Sequence, residues 1–372
     1  MKAIGLTHYL PISNPESLID IELDKPTPTG RDLLVKVEAI AVNPVDTKVR
    51  APKDKVEPQP RVLGWDAAGV VEAVGPDVTL FKVGDAVYYA GDITRPGANS
   101  EFHLIDERIV GAKPTSLDFT CAAALPLTMI TAWEALFDRL GVSAEGKDAG
   151  KSVLIIGGAG GVGSIGIQLA KRVGKLQVIA TASRPGSAKW AEDLDADRIV
   201  NHFEDIPKQM KDIGFPQVDY VLIFNDTDKH FPAAAEVIKP QGGICTIIEN
   251  AKPLPVELLI AESEERGVSL GIHVHARDVP DARHDRTAQA APRGAADRRR
   301  HAAHDDREKS RQDRCGESAR GASAAGGKAR DRQARADRFL TQFCVLLTIA
   351  KHTTSTRRAA GFSTRMKLMA RR

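Results

Sequence analysis

A glycine-rich run at residues 158–163 has the residue types and spacing that most clearly indicate chemistry. It reads Gly158-Ala159-Gly160-Gly161-Val162-Gly163 and follows an uninterrupted apolar run at 152–156. Glycines let a backbone approach a pyrophosphate without Cβ clashes, and a helix that begins there offers unpaired N–H groups. Because a buried strand precedes the run and a helix follows it, the run predicts dinucleotide binding. A turn used only for close packing is the alternative.

The end of the next predicted strand favours NADP(H) over NAD. An NAD site usually places an acidic residue about 20 residues after the glycines, where it binds the ribose hydroxyls. Here the strand ends in Ser183 and Arg184, and Lys189 follows one turn later. One hydroxyl and two cations suit a 2′-phosphate. The alternative is that Arg184 and Lys189 are solvated surface charges.

The elements that must position these residues follow an α/β pattern. Short β-like runs separated by Gly, Pro and Asp occupy the first 110 residues and indicate a compact, mostly β domain. The period becomes helical at 120–140, and strands alternate with helices from 152, as in a doubly wound parallel sheet. We therefore expect one domain at 1–126 and a dinucleotide-binding domain, incomplete at its end, at 127–268.

The C-terminal part of the chain has a different composition. Residues 281–338 contain no Val, Ile, Leu, Met, Phe, Tyr or Trp, so this segment cannot bury enough apolar surface to offset its ordering entropy. We expect 269–372 to form an aberrant, largely disordered tail. Codons permitted for 272–287 and 293–305, read one base later, encode protein-like sequence, including an amphipathic helix end. The hypothesis is a frameshift; a natural disordered or nucleic-acid-binding extension is the alternative.

Composition also argues against several classes of protein. The net charge of +3 is small and much of the Arg surplus lies in the tail, so basicity does not indicate nucleic acid or membrane partners. The tail's longest apolar stretch, 343–350, is too short to span a bilayer. No secretory signal opens the chain and no CxxC pair indicates structural zinc. We expect a soluble cytoplasmic protein.

Four groups of residues together resemble a known family. They are Gly64-Trp65-Asp66-Ala67-Ala68-Gly69-Val70-Val71, then Val83-Gly84-Asp85, then Ala124-Leu125-Pro126-Leu127-Thr128 with Thr131-Ala132-Trp133, and the glycine run with Gln168-Leu169-Ala170-Lys171. The combination resembles the medium-chain dehydrogenase/reductase superfamily, in its quinone oxidoreductase-like branch, also called zinc-type alcohol dehydrogenase-like. The resemblance covers about residues 1–258. It implies a GroES-like substrate domain and a Rossmann domain that together reduce quinones or activated enones with NADPH.

The resemblance also shows where this sequence departs from zinc-dependent relatives. In those relatives a Cys and a His of the first domain bind catalytic zinc. Here the corresponding positions are Asn43 and Trp65, which cannot replace a thiolate and an imidazole as strong ligands. We therefore expect no metal in this chain, and hydride transfer that depends on positioning.

The candidate catalytic residues come from the same resemblance. Asn43 and Asp46 lie on the loop similar to the family's substrate-side motif and could orient and polarise a substrate carbonyl; capping the helix that follows is the alternative. Thr128 and Thr131 correspond to positions near the nicotinamide, although Thr131 could equally be helix interior. Weaker cleft candidates, for which ordinary strand and turn roles are the alternative, are Tyr88, Tyr89 and Asn99.

Three further expectations complete the sequence interpretation. His202 and His230 have no paired motif and are expected at the surface. Relatives are typically homodimers that often use a strand from the region replaced here, so the resemblance does not carry a dimer over to this chain. The altered C-terminus would impair activity, so the alternatives are a non-catalytic NADPH-binding protein or a nucleic-acid-binding fusion through the Arg-rich tail. The interspersed Asp residues of the tail, and the lack of Phe, Tyr and Trp for base stacking at 281–338, argue against the last.

Overall fold

The computed structural model describes residues 1–255 of the chain. Its strands are β1 Lys2–Tyr9, β2 Ile19–Glu22, β3 Asp32–Ala41, β4 Lys53–Val62, β5 Asp66–Val74, β6 Ala86–Ala90, β7 Phe102–Asp106, β8 Val110–Ala112, β9 Ser152–Ile156, β10 Gln177–Thr181, β11 Arg198–Val200, β12 Val218–Ile223 and β13 Ile238–Thr246. Its helices are α1 Pro44–Arg50, α2 Phe119–Ala123, α3 Pro126–Trp133, α4 Gly161–Arg172, α5 Pro185–Asp193, α6 Ile206–Asp212 and α7 Thr227–Val237. The predicted tail lies outside the described residues.

The first part of the chain is mostly β, as the sequence predicts. One antiparallel sheet has the strand order β7-β3-β5-β6-β8, and a smaller one has the order β2-β1-β4. Alternating apolar residues of the larger sheet face one core, which includes Leu33, Val35, Val71, Val87 and Ile105. This alternation is typical of antiparallel sheets with one covered face.

The second part contains a parallel sheet with the order β11-β10-β9-β12-β13. The central strand β9 is buried along its whole length, which explains its unbroken apolar sequence. The chain continues to β10 on one side of β9 and later returns to β12 on the other. In open α/β sheets, ligands bind beyond the carboxyl ends of the strands at such a reversal. The fold class predicted from the sequence is confirmed.

Helix α3 connects the two parts of the molecule. It packs against β5 and β6 of the antiparallel sheet and against α4, which follows the glycine loop. The predicted helical stretch at 120–140 is divided here into α2, α3 and a π-helical turn, Glu134–Arg139. The predicted domain boundary at 126/127 coincides with the start of α3 and stays a prediction. The last described strand, β13, begins at Ile238 and ends at Thr246.

Candidate functional site

The glycine loop lies directly between β9 and α4. Gly157 has φ +85°, a backbone conformation that residues with a Cβ rarely adopt. Its N–H donates to Thr181 Oγ1 at 3.0 Å. A Cβ placed on Gly163 would lie 2.2 Å from the Gly157 carbonyl oxygen, and one on Gly158 would lie 2.8 Å from Ala180 Cβ. Gly163 is therefore required by a close contact inside the loop, and Gly158 is required by the close approach of the loop to β10.

The other side of the loop is open. Gly160 and Gly161 are exposed, and Gly160 has an extended backbone that starts α4. The first N–H groups of a helix have no partner within it, and the helix dipole favours negative charge there. Ser164, in the first turn, donates from Oγ to the Gly160 carbonyl at 2.7 Å and accepts from Trp190 Nε1 at 2.8 Å. The residues present, with Val162 half-buried between them, fit the pyrophosphate of a dinucleotide.

The predicted 2′-phosphate residues follow β10, next to this loop. Ser183 is half-buried and Arg184 is exposed; the Arg184 N–H donates to Ser187 Oγ at 3.2 Å at the start of α5. Lys189 forms an ion pair with Asp193 one turn further along the same helix. Arg184 has no ion pair among residues 1–255 and is the more available cation. No acidic residue stands at the end of β10, as the sequence already indicates.

At the predicted substrate side, Asn43 and Asp46 are both buried at the start of α1. The Asp46 carboxylate accepts a hydrogen bond from the Asn43 N–H at 2.7 Å, so Asp46 has the helix-capping role that the sequence left open. The Asn43 side chain also contacts a residue outside its own helix. Its Nδ2 donates to the carboxylate of Asp66 at 2.8 Å, across 23 residues of sequence. These two residues therefore belong to one polar cluster with Asp66.

Asp66 is the functional candidate that the sequence interpretation missed. It begins β5, its side chain is only 1 % exposed, and its second carboxylate oxygen accepts from the Leu127 N–H of α3 at 3.0 Å. The available signal was its place in Gly64-Trp65-Asp66, a motif that the sequence interpretation used only as evidence of family. Asp66 thus joins the start of α1 to the start of α3.

Burial controls the ionisation of this cluster. It raises the pKa of Asp66 to about 7, and the nearby Asp46 charge adds to the rise; the hydrogen bonds from Asn43 and Leu127 act in the opposite direction. Burial also raises the pKa of Asp46, against the hydrogen bonds from the N–H groups of Asn43, Asp46 and Gly64. Two carboxyl groups in one buried cluster thus both favour the proton, which is common at functional sites.

Thr128 and Thr131 lie on α3, but their hydroxyl groups bond within the helix. Thr128 Oγ1 donates to the carbonyls of Ala124 and Leu125 at 3.2 and 3.0 Å, and Thr131 Oγ1 donates to Leu127 at 2.7 Å. The methyl group of Thr128 faces the glycine loop, because a Cβ on Gly161 would lie 3.4 Å from it. The structure therefore shows Thr128 as a packing contact between α3 and the loop.

The residues present do not fit a catalytic zinc. The Asn43 amide donates to Asp66, and Trp65, which is 4 % exposed, offers only an indole N–H, a donor that cannot ligate a cation. Within residues 1–255, no group of three or more His, Cys, Asp or Glu side chains could hold a metal ion. In the same part of the chain, no helix is both long and apolar enough to cross a membrane.

The weaker candidates have structural roles. Tyr89 belongs to the core of the larger antiparallel sheet and hydrogen-bonds His103 Nδ1 at 3.0 Å. Asn99 donates its N–H to the Leu63 carbonyl at 2.9 Å and accepts from the Ile4 N–H at 2.8 Å, so it ties β1 to the segment before β5. Tyr88 is half-buried, and burial raises its pKa.

The prediction that His230 lies at the surface is wrong. His230 is 3 % exposed because it packs on the inner face of α7, and its Nε2 has no hydrogen-bond partner among the described residues. Its ring lies 6.0 Å from that of His202, which is half-buried. Burial lowers the pKa of both imidazoles, and Lys229 lowers both further. Both rings line an open cavity of about 1000 Å³ between α6 and α7, away from the glycine loop.

Comparisons with known proteins agree with this architecture. Residues 29–114 match the alcohol dehydrogenase GroES-like domain, and residues 161–269 match the zinc-binding dehydrogenase family. A zinc-type alcohol dehydrogenase-like protein of Staphylococcus epidermidis is 45 % identical over 265 residues, which are 71 % of this chain and 78 % of the relative. The 2-methylene-furan-3-one reductase of Solanum lycopersicum is 34 % identical over 71 % of this chain and 66 % of its own length.

A solved structure gives the same result for the fold. The quinone oxidoreductase of Pseudomonas syringae pv. tomato DC3000 superimposes with a TM-score of 0.60 at 26 % identity, covering 74 % of this chain and 80 % of that protein. The shared region includes both the antiparallel part and the parallel sheet expected from the sequence.

Proposed function

The chain belongs to the medium-chain dehydrogenase/reductase superfamily of oxidoreductases, and we propose that it reduces quinones or activated enones with NADPH and without zinc. The observation that carries the proposal is the pairing of an open glycine loop with a polar cluster in which Asn43 and Trp65 stand where zinc-dependent relatives have a thiolate and an imidazole. The quinone oxidoreductase and the furanone reductase among its relatives support this substrate class.

The glycine loop would hold the cofactor. N–H groups at the start of α4 would bind the pyrophosphate, while Arg184 and Ser183, with Lys189 once it leaves Asp193, would contact the 2′-phosphate. When bound, NADPH supplies the hydride. Its nicotinamide end would lie toward α3, whose Thr128 contacts Gly161, with Thr131 one turn further on.

The polar cluster would orient the substrate. An amide nitrogen carries two N–H groups, and Asn43 uses one of them on Asp66, so the other is available to a substrate oxygen that gains negative charge. Asp46 Oδ1 is buried without a hydrogen-bond partner in the described part of the chain, so it can accept from a bound water or a substrate hydroxyl. A water or another donor would complete the reaction by protonating the oxygen.

A turnover assay tests the proposal directly. Purified full-length chain is mixed with NADPH or NADH and with a benzoquinone or an alkyl vinyl ketone, and loss of reduced-cofactor absorbance is followed. We expect turnover with NADPH, unaffected by a chelator, and weaker turnover with NADH. Binding of NADPH without oxidation by any of these acceptors would favour the non-catalytic binding protein instead.

The frameshift hypothesis needs a separate test, because residues 269–372 lie outside the described part of the chain. Resequencing the encoding DNA between the codons for Val256 and Asp306 decides it. If a base has been lost or gained, the chain translated from the corrected reading frame is the one to assay. An unchanged frame would leave this chain with its present C-terminus, and NADPH binding should then be measured before turnover.

A further inference from the structure

Asp66 has an environment that an ordinary structural carboxylate lacks. Its side chain is 1 % exposed, and none of the ion pairs among residues 1–255 includes it. Its two oxygens are used by two different elements: Oδ2 accepts from Asn43 Nδ2, and Oδ1 accepts from the Leu127 N–H. A buried charge held by two neutral donors is costly, so its presence calls for an explanation beyond stability.

One partner of Asp66 belongs to the proposed substrate site, and the other belongs to the helix that packs against the glycine loop. Asn43 is the proposed contact of the substrate oxygen. Leu127 is the second residue of α3, whose next residue, Thr128, packs against Gly161 of the glycine loop. A shift of the α3 N-terminus would therefore move the wall of the cofactor loop relative to Asn43.

We propose that Asp66 is a positioning residue that aligns the Asn43 amide with the glycine loop only while its carboxyl group is ionised. This inference rests on the proposed function, because it assigns regulation by protons to the same site. An ionised carboxylate accepts from both donors, whereas a protonated carboxyl has one good acceptor oxygen and one O–H donor. Protonation therefore releases either the Asn43 amide or the α3 N-terminus.

The surrounding charges are consistent with a proton-sensitive link. The pKa of Asp66, raised by burial to about 7, places the change near neutrality. Of the elements packed around it, α1 contributes Asp46, which raises the pKa further, and also carries Lys48 and Arg50 in its last turn. Helix α3 has no charged residue, and the strand partners of Asp66 in β3 and β6 are Ala41 and Ala90.

The first experiment titrates Asp66 without requiring activity. The full chain is labelled with isotopic aspartate, its carboxyl signals are followed by NMR from acid to alkaline pH, and the Asp66 signal is identified by its loss in Asp66→Asn. We expect a midpoint near neutrality that rises in Asn43→Ala, because a hydrogen bond to the ionised form is lost, and falls in Asp46→Asn. A midpoint in the ordinary range of aspartate, or one that neither variant moves, would overturn the link.

The second experiment measures its consequence for turnover. In the wild type, kcat with a benzoquinone should fall as the pH drops below neutrality. In Asp66→Asn it should be about tenfold lower at alkaline pH and nearly independent of pH, since misalignment by a fraction of an ångström has effects of this order. The dissociation constant of NADPH should change much less. Asp77→Asn, an exposed turn residue, is the control and should keep the wild-type profile.

These outcomes separate the two proposals. If the wild type oxidises no NADPH with any quinone, the proposed function fails while the titration still decides whether Asp66, Asn43 and Asp46 are coupled. If turnover is normal but Asp66→Asn keeps the wild-type dependence on pH, the positioning role of Asp66 is wrong and the proposed function stands. A lower melting temperature with an unchanged pH profile would show a structural role only.

Discussion

The glycine loop after β9 and the polar cluster around Asp66 are built in opposite ways. The loop is made by the backbone of consecutive residues, and its tightest contact, that of Gly163 with the Gly157 carbonyl oxygen, joins two residues that are close in sequence. The cluster is made by side chains and an N–H group from three segments, with partners 23 and 61 residues from Asp66. One region depends on local geometry, and the other depends on the assembled fold.

This difference affects how each region should respond to change. At Gly163 in the loop, an added methyl group meets the Gly157 carbonyl oxygen at 2.2 Å, so the effect of a substitution there should be decided by sterics and be independent of pH. In the cluster, each group is buried and satisfied by another, so substitutions should act through unpaired polar atoms and through ionisation. The following predictions test this contrast, from the largest expected effect to the smallest.

The largest effect should be the pH dependence of stability caused by Asp66. Because the fold raises the pKa of this carboxyl from 3.8 to about 7, the folded state holds the proton more tightly than the unfolded state. The stability that Asp66 gives the fold by holding this proton is therefore complete below about pH 4. As the pH rises to about 7, this stabilisation is lost, and the total loss is about 4 kcal/mol. Urea unfolding should show this loss in the wild type and not in Asp66→Asn. The same dependence of the unfolding free energy on pH in both proteins would contradict this prediction.

The next effect should come from the loop. Gly163→Ala places a Cβ 2.2 Å from the Gly157 oxygen, so we expect a loss of about 3 kcal/mol in unfolding free energy and no measurable NADPH binding at any pH. Gly160→Ala is the matched control for stability alone, because its Cβ would lie 3.3 Å from the same oxygen. Denaturant unfolding and cofactor fluorescence measure both variants. Similar unfolding free energies of the two variants would mean that the loop is less rigid than its contacts indicate.

A smaller effect is expected at Asn43. Asn43→Ala removes the donor from Asp66 Oδ2 inside the protein, which should cost about 2 kcal/mol, with the loss greatest above neutral pH where Asp66 is ionised. Thr47→Ala, on the exposed side of the same helix, should change stability by less than about 0.5 kcal/mol. Thermal unfolding at acid and alkaline pH separates these cases. A loss at Asn43 that does not depend on pH would separate it energetically from Asp66.

The smallest effect should be on cofactor choice. Arg184→Gln removes a cation at the end of β10 without touching the glycine loop, so NADPH affinity should fall about tenfold while NADH affinity stays unchanged. Arg198→Gln, an exposed position on the neighbouring strand β11, is the control. Titration of both cofactors by fluorescence measures the ratio. A matching loss for NADH would exclude a role for Arg184 at a 2′-phosphate.

The structure shows why some site residues could be predicted and others could not. The helix predicted after the glycine run is observed as α4, because a buried strand, a glycine turn and a helix are all indicated by local patterns. His230 was misplaced because a single histidine on a helix carries no signal for which side faces inward. Asp66 was missed as a site residue because its partners are distant in sequence.

The sequence by itself determined the α/β class, the strand and helix around the glycine loop and the absence of strong zinc ligands at 43 and 65, since these follow from residue type and short-range periodicity. Only the tertiary structure decided that the Asn43 amide nitrogen donates to Asp66, and that Asp66 also accepts a hydrogen bond from the start of α3. Those contacts arise because antiparallel pairing in the first sheet and packing of α3 bring distant segments together. Burial then raises the pKa of Asp66, and burial is a property of the fold that no short stretch of sequence contains.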